Sequence, residues 1–187
     1  MTTNYNDRRN SKKSDSRDND GIIEKVVQVR RVTKVVKGGR NLRFSAMVVA
    51  GDKKGKVGVA SGKGAAVPDA VRKAANNARK NMVSVQMKGT TLPYQVNAKY
   101  GAAKIMLKPA SPGTGVIAGG GIRAVMEAVG VQDVLSKNLG SNNPVNTVKA
   151  TVKALTSLKD PEQYIAQRKN NFDGNKSNNQ EVDNEQS

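Results

Sequence analysis

The chain has 187 residues and a formal net charge of +17, with no Cys and no His. That length fits one domain or two small ones. The missing Cys and His exclude disulfides, the usual zinc sites and every mechanism that needs a thiolate or an imidazole. Residues 1–20 are almost wholly polar and charged and cannot bury enough surface to offset their chain entropy, so they are expected to be a disordered tail. They hold no hydrophobic stretch of the kind a secretory signal needs. Nothing further along approaches the roughly 20 apolar residues of a membrane helix. A soluble, cytoplasmic protein is expected.

Residues 22–37 are rich in Val and poor in helix formers, which predicts a strand. Its apolar parity slips near Arg30 and Arg31, where a bulge or a strand end is expected. Lys37 to Asn41 reads as a turn, since paired glycines supply positive φ at little cost. Leu42 to Ala50 alternates, with Leu42, Phe44, Ala46 and Val48 on one face and Arg43, Ser45 and Met47 on the other. A second turn, Gly51 to Gly55, leads to a short strand from Lys56 to Ala60. Three strands at hairpin spacing predict an antiparallel sheet. A helix is predicted from Pro68 to Met82, with Pro and Asp69 suited to its first turn. Its apolar stripe is Val71, Ala75, Ala78 and Met82, and its other side carries Arg72, Asn76, Arg79 and Lys80.

Residues 92–98 and 103–108 read as a second hairpin broken at Tyr100 and Gly101. A glycine-rich loop and helix follow over Ser111 to Gly130, with Ile122, Val125, Met126 and Val129 at helical spacing and Gly130 as the stop. Val131 to Leu139 is a candidate strand. Asn143 and Pro144 start another helix as cap and first residue, with Val145, Val148, Val152 and Leu155 on its apolar face. A short last helix is predicted over 161–168, where Asp160 and Glu162 serve its N-terminal electrostatics. Residues 170–187 form a second polar tail, net acidic. The expected class is α+β: a β-β-β-α unit over 21–89, then an α/β two-layer unit over 90–169, between disordered tails at 1–20 and 170–187.

Charge sets the functional reading. Fifteen Lys or Arg face only Asp52 and Asp69 between Lys25 and Lys80, so these 56 residues carry +13. A field of one sign that strong repels itself unless a polyanion is present, and nucleic acid is the natural one. The bland alternatives are a very soluble basic domain, a membrane-surface patch or, for the helix alone, a solvated face. The candidate contacts are Arg30, Arg31, Thr33, Lys34, Lys37, Gly38, Gly39, Arg40 and Arg43 on the first hairpin. Lys53, Lys54, Lys56 and Lys63 join them from the next turn and strand, and Arg72, Lys73, Arg79 and Lys80 from the helix. Rings to stack bases on are few (Phe44, Phe172 and four Tyr), so recognition should lean on phosphates, 2′-hydroxyls and shape.

Two enzyme-like patterns compete with this. Gly113-Thr-Gly115-Val-Ile-Ala118 matches the dinucleotide fingerprint G-x-G-x-x-G/A, and Asp133 lies where a ribose-binding acid would. Against it, Pro109 and Pro112 separate the glycines from any strand, the helix begins after Ala118, and the preceding sheet reads as antiparallel. A glycine hinge is the better reading. Gly62-Lys63-Gly64 resembles the end of a P-loop, but Val57 stands where its first Gly is required and no Ser or Thr follows Lys63. No cofactor or metal is expected, and no enzyme activity.

Five co-linear blocks resemble a known family. They are Arg31-Val-Thr-Lys-Val-Val-Lys-Gly-Gly-Arg40; Gly55-Lys-Val-Gly58; Pro68 to Met82; Pro109 to Gly120 with Arg123-Ala-Val-Met-Glu127; and Gly140-Ser-Asn-Asn-Pro144. Together they look like bacterial small-subunit ribosomal protein five, from about Gly21 to Arg168. The resemblance implies a first domain similar to a double-stranded RNA-binding module and a second that is an α/β sandwich with a left-handed crossover. It implies small-subunit ribosomal RNA as ligand, ribosomal proteins four and eight as neighbours rather than copies of itself, and messenger RNA near the channel it enters by. It implies a role in holding the subunit's head relative to its body and in translational accuracy. Arg31, Val32, Thr33 and Gly39 match positions where changes give spectinomycin resistance; Thr33 departs from the common Ser but keeps the hydroxyl. Gly113, Gly115 and Arg123 match the fidelity surface near protein four. The longer polar tails also depart from the family.

Overall fold

A computed structural model describes residues 21–160 together with 164 and 165. The expected tails at 1–20 and 170–187 lie outside the described residues. So does most of the helix expected over 161–168, of which Tyr164 and Ile165 are helical. The fold is α+β. The first sheet is antiparallel, in the order β1 (Ile23–Val36), β2 (Gly39–Gly51), β3 (Lys56–Gly64), β4 (Met82–Ser84), with α1 (Val67–Lys80) between β3 and β4. The second sheet contains β5 (Val96–Tyr100), β6 (Ala103–Pro109), β7 (Val116–Ile117) and β8 (Val134–Asn138), ordered β5-β6-β8-β7. Helix α2 (Gly120–Val129) joins β7 to β8, and α3 (Pro144–Thr156) follows β8.

Several expectations need correction. The register shift in β1 falls between Val26 and Gln28, not at Arg30–Arg31, and the strand runs on to Val36. The apolar parity slipped further along because that stretch has no core to obey: Val35 is 74% exposed and Val29 40%. Met82 does not close a helical stripe. α1 stops at Lys80, its cap Asn81 donates to Asn77 and Ala78 carbonyls, and Met82 opens β4 opposite Gly58. β3 continues past Ala60 to Gly64 because β2 pairs with it as far as Phe44. The hairpin β5–β6 is antiparallel as expected, and the second sheet adds a parallel pair, β7 with β8, across α2.

Both faces of the first sheet are covered where β2 crosses it. Val48 packs with Ala74 and Ala75 of α1. Met47 and Val49, on the opposite face, enter a larger cluster with Val57, Ile105, Leu107, Val125, Met126, Val129, Val148 and Leu155. That is why Ala46 to Ala50 are all buried although the strand alternates. Each such buried Val, Leu or Met contributes roughly 1.5–3 kcal/mol relative to exposure. On the other side α1 lies directly on β3. A Cβ at Gly62 would sit 2.3 Å from the Ala70 carbonyl oxygen, and one at Gly58 2.0 Å from that of Ala78. Glycines in β3 and alanines in α1 are the condition for that approach.

The two sheets are tied at one turn. Lys53 and Gly55 donate their backbone N–H groups to the carbonyls of Ala128 and Val129, at 3.1 and 3.0 Å, and so satisfy the C-terminal carbonyls of α2. Asp52 shapes the turn, its Oδ1 accepting from the N–H groups of Lys54 and Lys56 at 2.8 and 2.9 Å. Lys25 of β1 pairs with Glu127 of α2 beside it.

Candidate nucleic-acid interface

The first hairpin projects beyond the sheet that carries it. β3 ends opposite Phe44, so β1 and β2 continue alone toward the Lys37–Gly38 turn, and Thr33 to Arg43 are all exposed. Register divides the charges between the two sides of this arm. Arg31, Thr33 and Arg40 lie on the side that continues the α1 face, while Arg30, Lys34 and Arg43 lie on the other. Lys37 is at the tip. A ribbon exposed on both sides, with cations on each, can meet phosphates from either side, which a half-buried strand cannot. Gly39 has φ 147, in the range where glycine is favoured, and pairs with Val36 to close the turn.

The remaining candidates are distributed less evenly. Lys53, Lys54, Lys56 and Lys63 are exposed on the β2–β3 turn and on β3. On α1, Lys73 and Lys80 face solvent, whereas Arg72 meets Asp69 at 3.2 Å. Arg79 donates from Nε to Glu24 Oε1 at 2.7 Å and is mostly covered. The helix therefore offers fewer unengaged cations than its sequence suggests.

The glycine loop is built around an internal anion. Asp133, 5% exposed, accepts from the Gly115 N–H at 2.9 Å through Oδ1 and from the Thr90 hydroxyl at 3.1 Å through Oδ2. The Gly115 N–H chiefly holds its carboxyl below the ordinary carboxylate value; burial pushes the other way, and Thr90, Gly113 and Thr114 add to the lowering. Asp133 thus occupies the Gly115 N–H, and the motif runs from a loop through β7 instead of following a strand into a helix, so the fingerprint reading fails on geometry. Gly113 and Gly115 both have positive φ, 87 and 76. The loop leads into β7, where the Arg123 guanidinium donates to the Val116 carbonyl at 2.8 Å. The segment before β5 is drawn into the same knot: Gln132 N–H donates to the Thr90 carbonyl at 2.9 Å, and the Thr91 hydroxyl to that of Asp133 at 2.6 Å. Among the described residues no group of three or more His, Cys, Asp or Glu could hold a metal, and no helix is long and apolar enough to cross a membrane.

Residues 22–86 match the family described as Ribosomal protein S5, N-terminal domain, and residues 98–169 match Ribosomal protein S5, C-terminal domain. The chain belongs to the ribosomal protein S5 family. A relative from Nitrosococcus oceani, named small ribosomal subunit protein uS5, is 56% identical over 154 residues, covering 82% of this chain and 91% of its own length. Members of this family are structural ribosomal proteins, not enzymes, and the chain is accordingly a ribosome-bound, RNA-binding protein of the cytoplasm whose partners are ribosomal RNA and other ribosomal proteins. Sequence reasoning set Asp133 aside together with the fingerprint it completed. Its spacing from Gly113 did carry a signal: an acid at that distance serves the loop's own N–H groups instead of a ribose.

Proposed function

We propose that the protein binds small-subunit ribosomal RNA through the basic arm, stabilises the head of the subunit relative to its body, and contributes to translational accuracy with ribosomal protein four. The observation that carries this is the arm itself: eleven consecutive exposed residues, Thr33 to Arg43, with cations on both sides. Residues 21–89 act as the double-stranded-RNA-binding-like unit and 90–169 as the sandwich that meets neighbouring proteins. Arg31, Val32, Thr33 and Gly39 form the part of the arm where changes give spectinomycin resistance. Gly113, Gly115 and Arg123 form the surface toward protein four. Gly113 and Arg123 are exposed, and a side chain built at Gly115 would meet no atom within 4 Å, both of which suit an outward-facing loop. Ribosomal protein eight is a second neighbour, and the basic surface lies near the path by which messenger RNA enters.

The test is the salt dependence of binding to deproteinised small-subunit ribosomal RNA. A protein making about 6 to 10 phosphate contacts loses on the order of 10³ to 10⁵ in affinity between about 50 and 200 mM salt. Replacing Arg31, Lys34 and Arg40 with Gln should flatten the logarithmic slope by about one unit per residue. A wild-type affinity that hardly changes with salt would overturn the phosphate reading.

A further inference from the structure

We propose that the open face of the second sheet is another phosphate-binding surface for folded RNA, carried by Lys99, Lys104, Lys108 and Lys137. The inference rests on the RNA-binding reading above and extends it to a part of the chain that the concentration of charge in residues 25–80 does not reach.

Strand alternation creates this face. Ile105, Leu107 and Val134 point into the core and are fully buried. Their neighbours in sequence must point the opposite way. On that outer side Lys99 stands directly across from Lys104, Met106 across from Lys137, and Lys108 across from Leu135. All four lysines are exposed. None of the three strands contains an acid.

The arrangement is costly for the protein alone. Like charges directly opposite each other on one face of a sheet repel, and here they are set against each other at Lys99 and Lys104 with no carboxylate between them. A polyanion removes the conflict. The array fits one in size: Lys104 and Lys108 are four residues apart on β6, roughly 13 Å at about 3.3 Å per residue, and the three strands span about 10 Å. That is a shallow plane, not a pocket. Four lysines on a plane, with Asn97 across from Met106 as the one amide among them, suit backbone phosphates better than sequence. A protein partner is the poorer fit, because lysine is depleted from the cores of protein interfaces, and the apolar side chains here, Met106, Leu135 and Ile117 beside it, are interleaved with or flanked by the lysines.

The experiment uses the full chain with Lys104, Lys108 and Lys137 replaced by Gln. The probes are an RNA duplex of about 20 base pairs, long enough to engage a module of this kind, and deproteinised small-subunit ribosomal RNA. The expected result is an unchanged or raised melting temperature, since a repulsion is removed, and a salt slope lowered by about one unit per lysine. If the arm substitutions lower the slope and these do not, the second surface is refuted and the arm reading stands. If neither set lowers it, both fail. A photo-crosslinking residue at position 104, read in assembled small subunits, gives an independent measurement: crosslinks to RNA support the proposal, and crosslinks to protein overturn it.

Discussion

The carboxylate of Asp133 sits 2.9 Å from the backbone nitrogen of Gly115, so the glycine loop is held by a residue that follows it in sequence by a whole helix. Gly115 returns the contact, its carbonyl accepting from Val134 N–H at 3.1 Å. The loop is thereby tied to the start of β8 on both sides of Gly115.

Replacing Asp133 with Asn should destabilise the protein at neutral pH and make that cost pH-dependent. The folded carboxyl titrates below its ordinary value of 3.8. Its contribution is therefore complete above that value, fades as the pH falls through it, and is gone below the folded pKa. Melting temperatures of the two proteins should differ most near neutrality and converge in acid. A gap that stays constant down to the acid limit of folding would show that the charge of Asp133 is not what holds the loop.

Gly62→Ala places a methyl group 2.3 Å from the Ala70 carbonyl oxygen and 2.6 Å from the Ala74 nitrogen. Backbone atoms cannot turn aside as a side chain can, so α1 must lift from β3. Overpacking of this kind costs about 1–3 kcal/mol, sometimes more, and urea unfolding would read it directly. Gly38→Ala is the control, because nothing lies within 4 Å of the added carbon and its midpoint should hardly move.

On α1 the cations should not be equal. Lys73→Gln and Lys80→Gln should each flatten the salt slope of RNA binding by about one unit. Arg79→Gln should do so less, because its guanidinium is engaged with Glu24. A double-mutant cycle over Arg79 and Glu24, both mostly covered, should return a coupling of about 1 kcal/mol, the upper end for pairs that still touch solvent. Equal slope changes at all three positions would contradict this ranking.

Arg123→Gly removes the donor to the Val116 carbonyl from an exposed position inside α2, so its effect on folding should stay near the roughly 1 kcal/mol that glycine costs in a helix. In decoding its effect should show as a rise in stop-codon readthrough in cells. Unchanged readthrough in cells carrying only this variant would sink the proposed link between the glycine loop and accuracy.

Features with a local chemical cause were legible in the sequence. Asn143 caps α3 as expected, accepting from the Val145 N–H at 3.2 Å, with Pro144 in the first turn. Gly130 ends α2 in the left-handed conformation. The basic hairpin could be read because charge and turn residues coincide there. What could not be read depends on distant partners. β7 has two residues and exists because β8 lies beside it. Met47 fell on what looked like the polar face of β2, and its burial needs α2, more than 70 residues later in the chain. Lysines 104, 108 and 137 are scattered in sequence and meet only through the pairing of β6 with β8.

The core that Met47, Val49 and Val57 share with α2 and α3 bears on how the protein is made. These side chains leave the ribosome early, at the synthesis rates of roughly 5–20 residues per second typical of cells, yet their cover comes with Val125, Val129 and Val148. For several seconds the nascent chain carries an unshielded apolar strip beside a cluster of cations. A newly made copy is then at its most vulnerable to aggregation, and to stray RNA, before the last third of its own sequence has appeared.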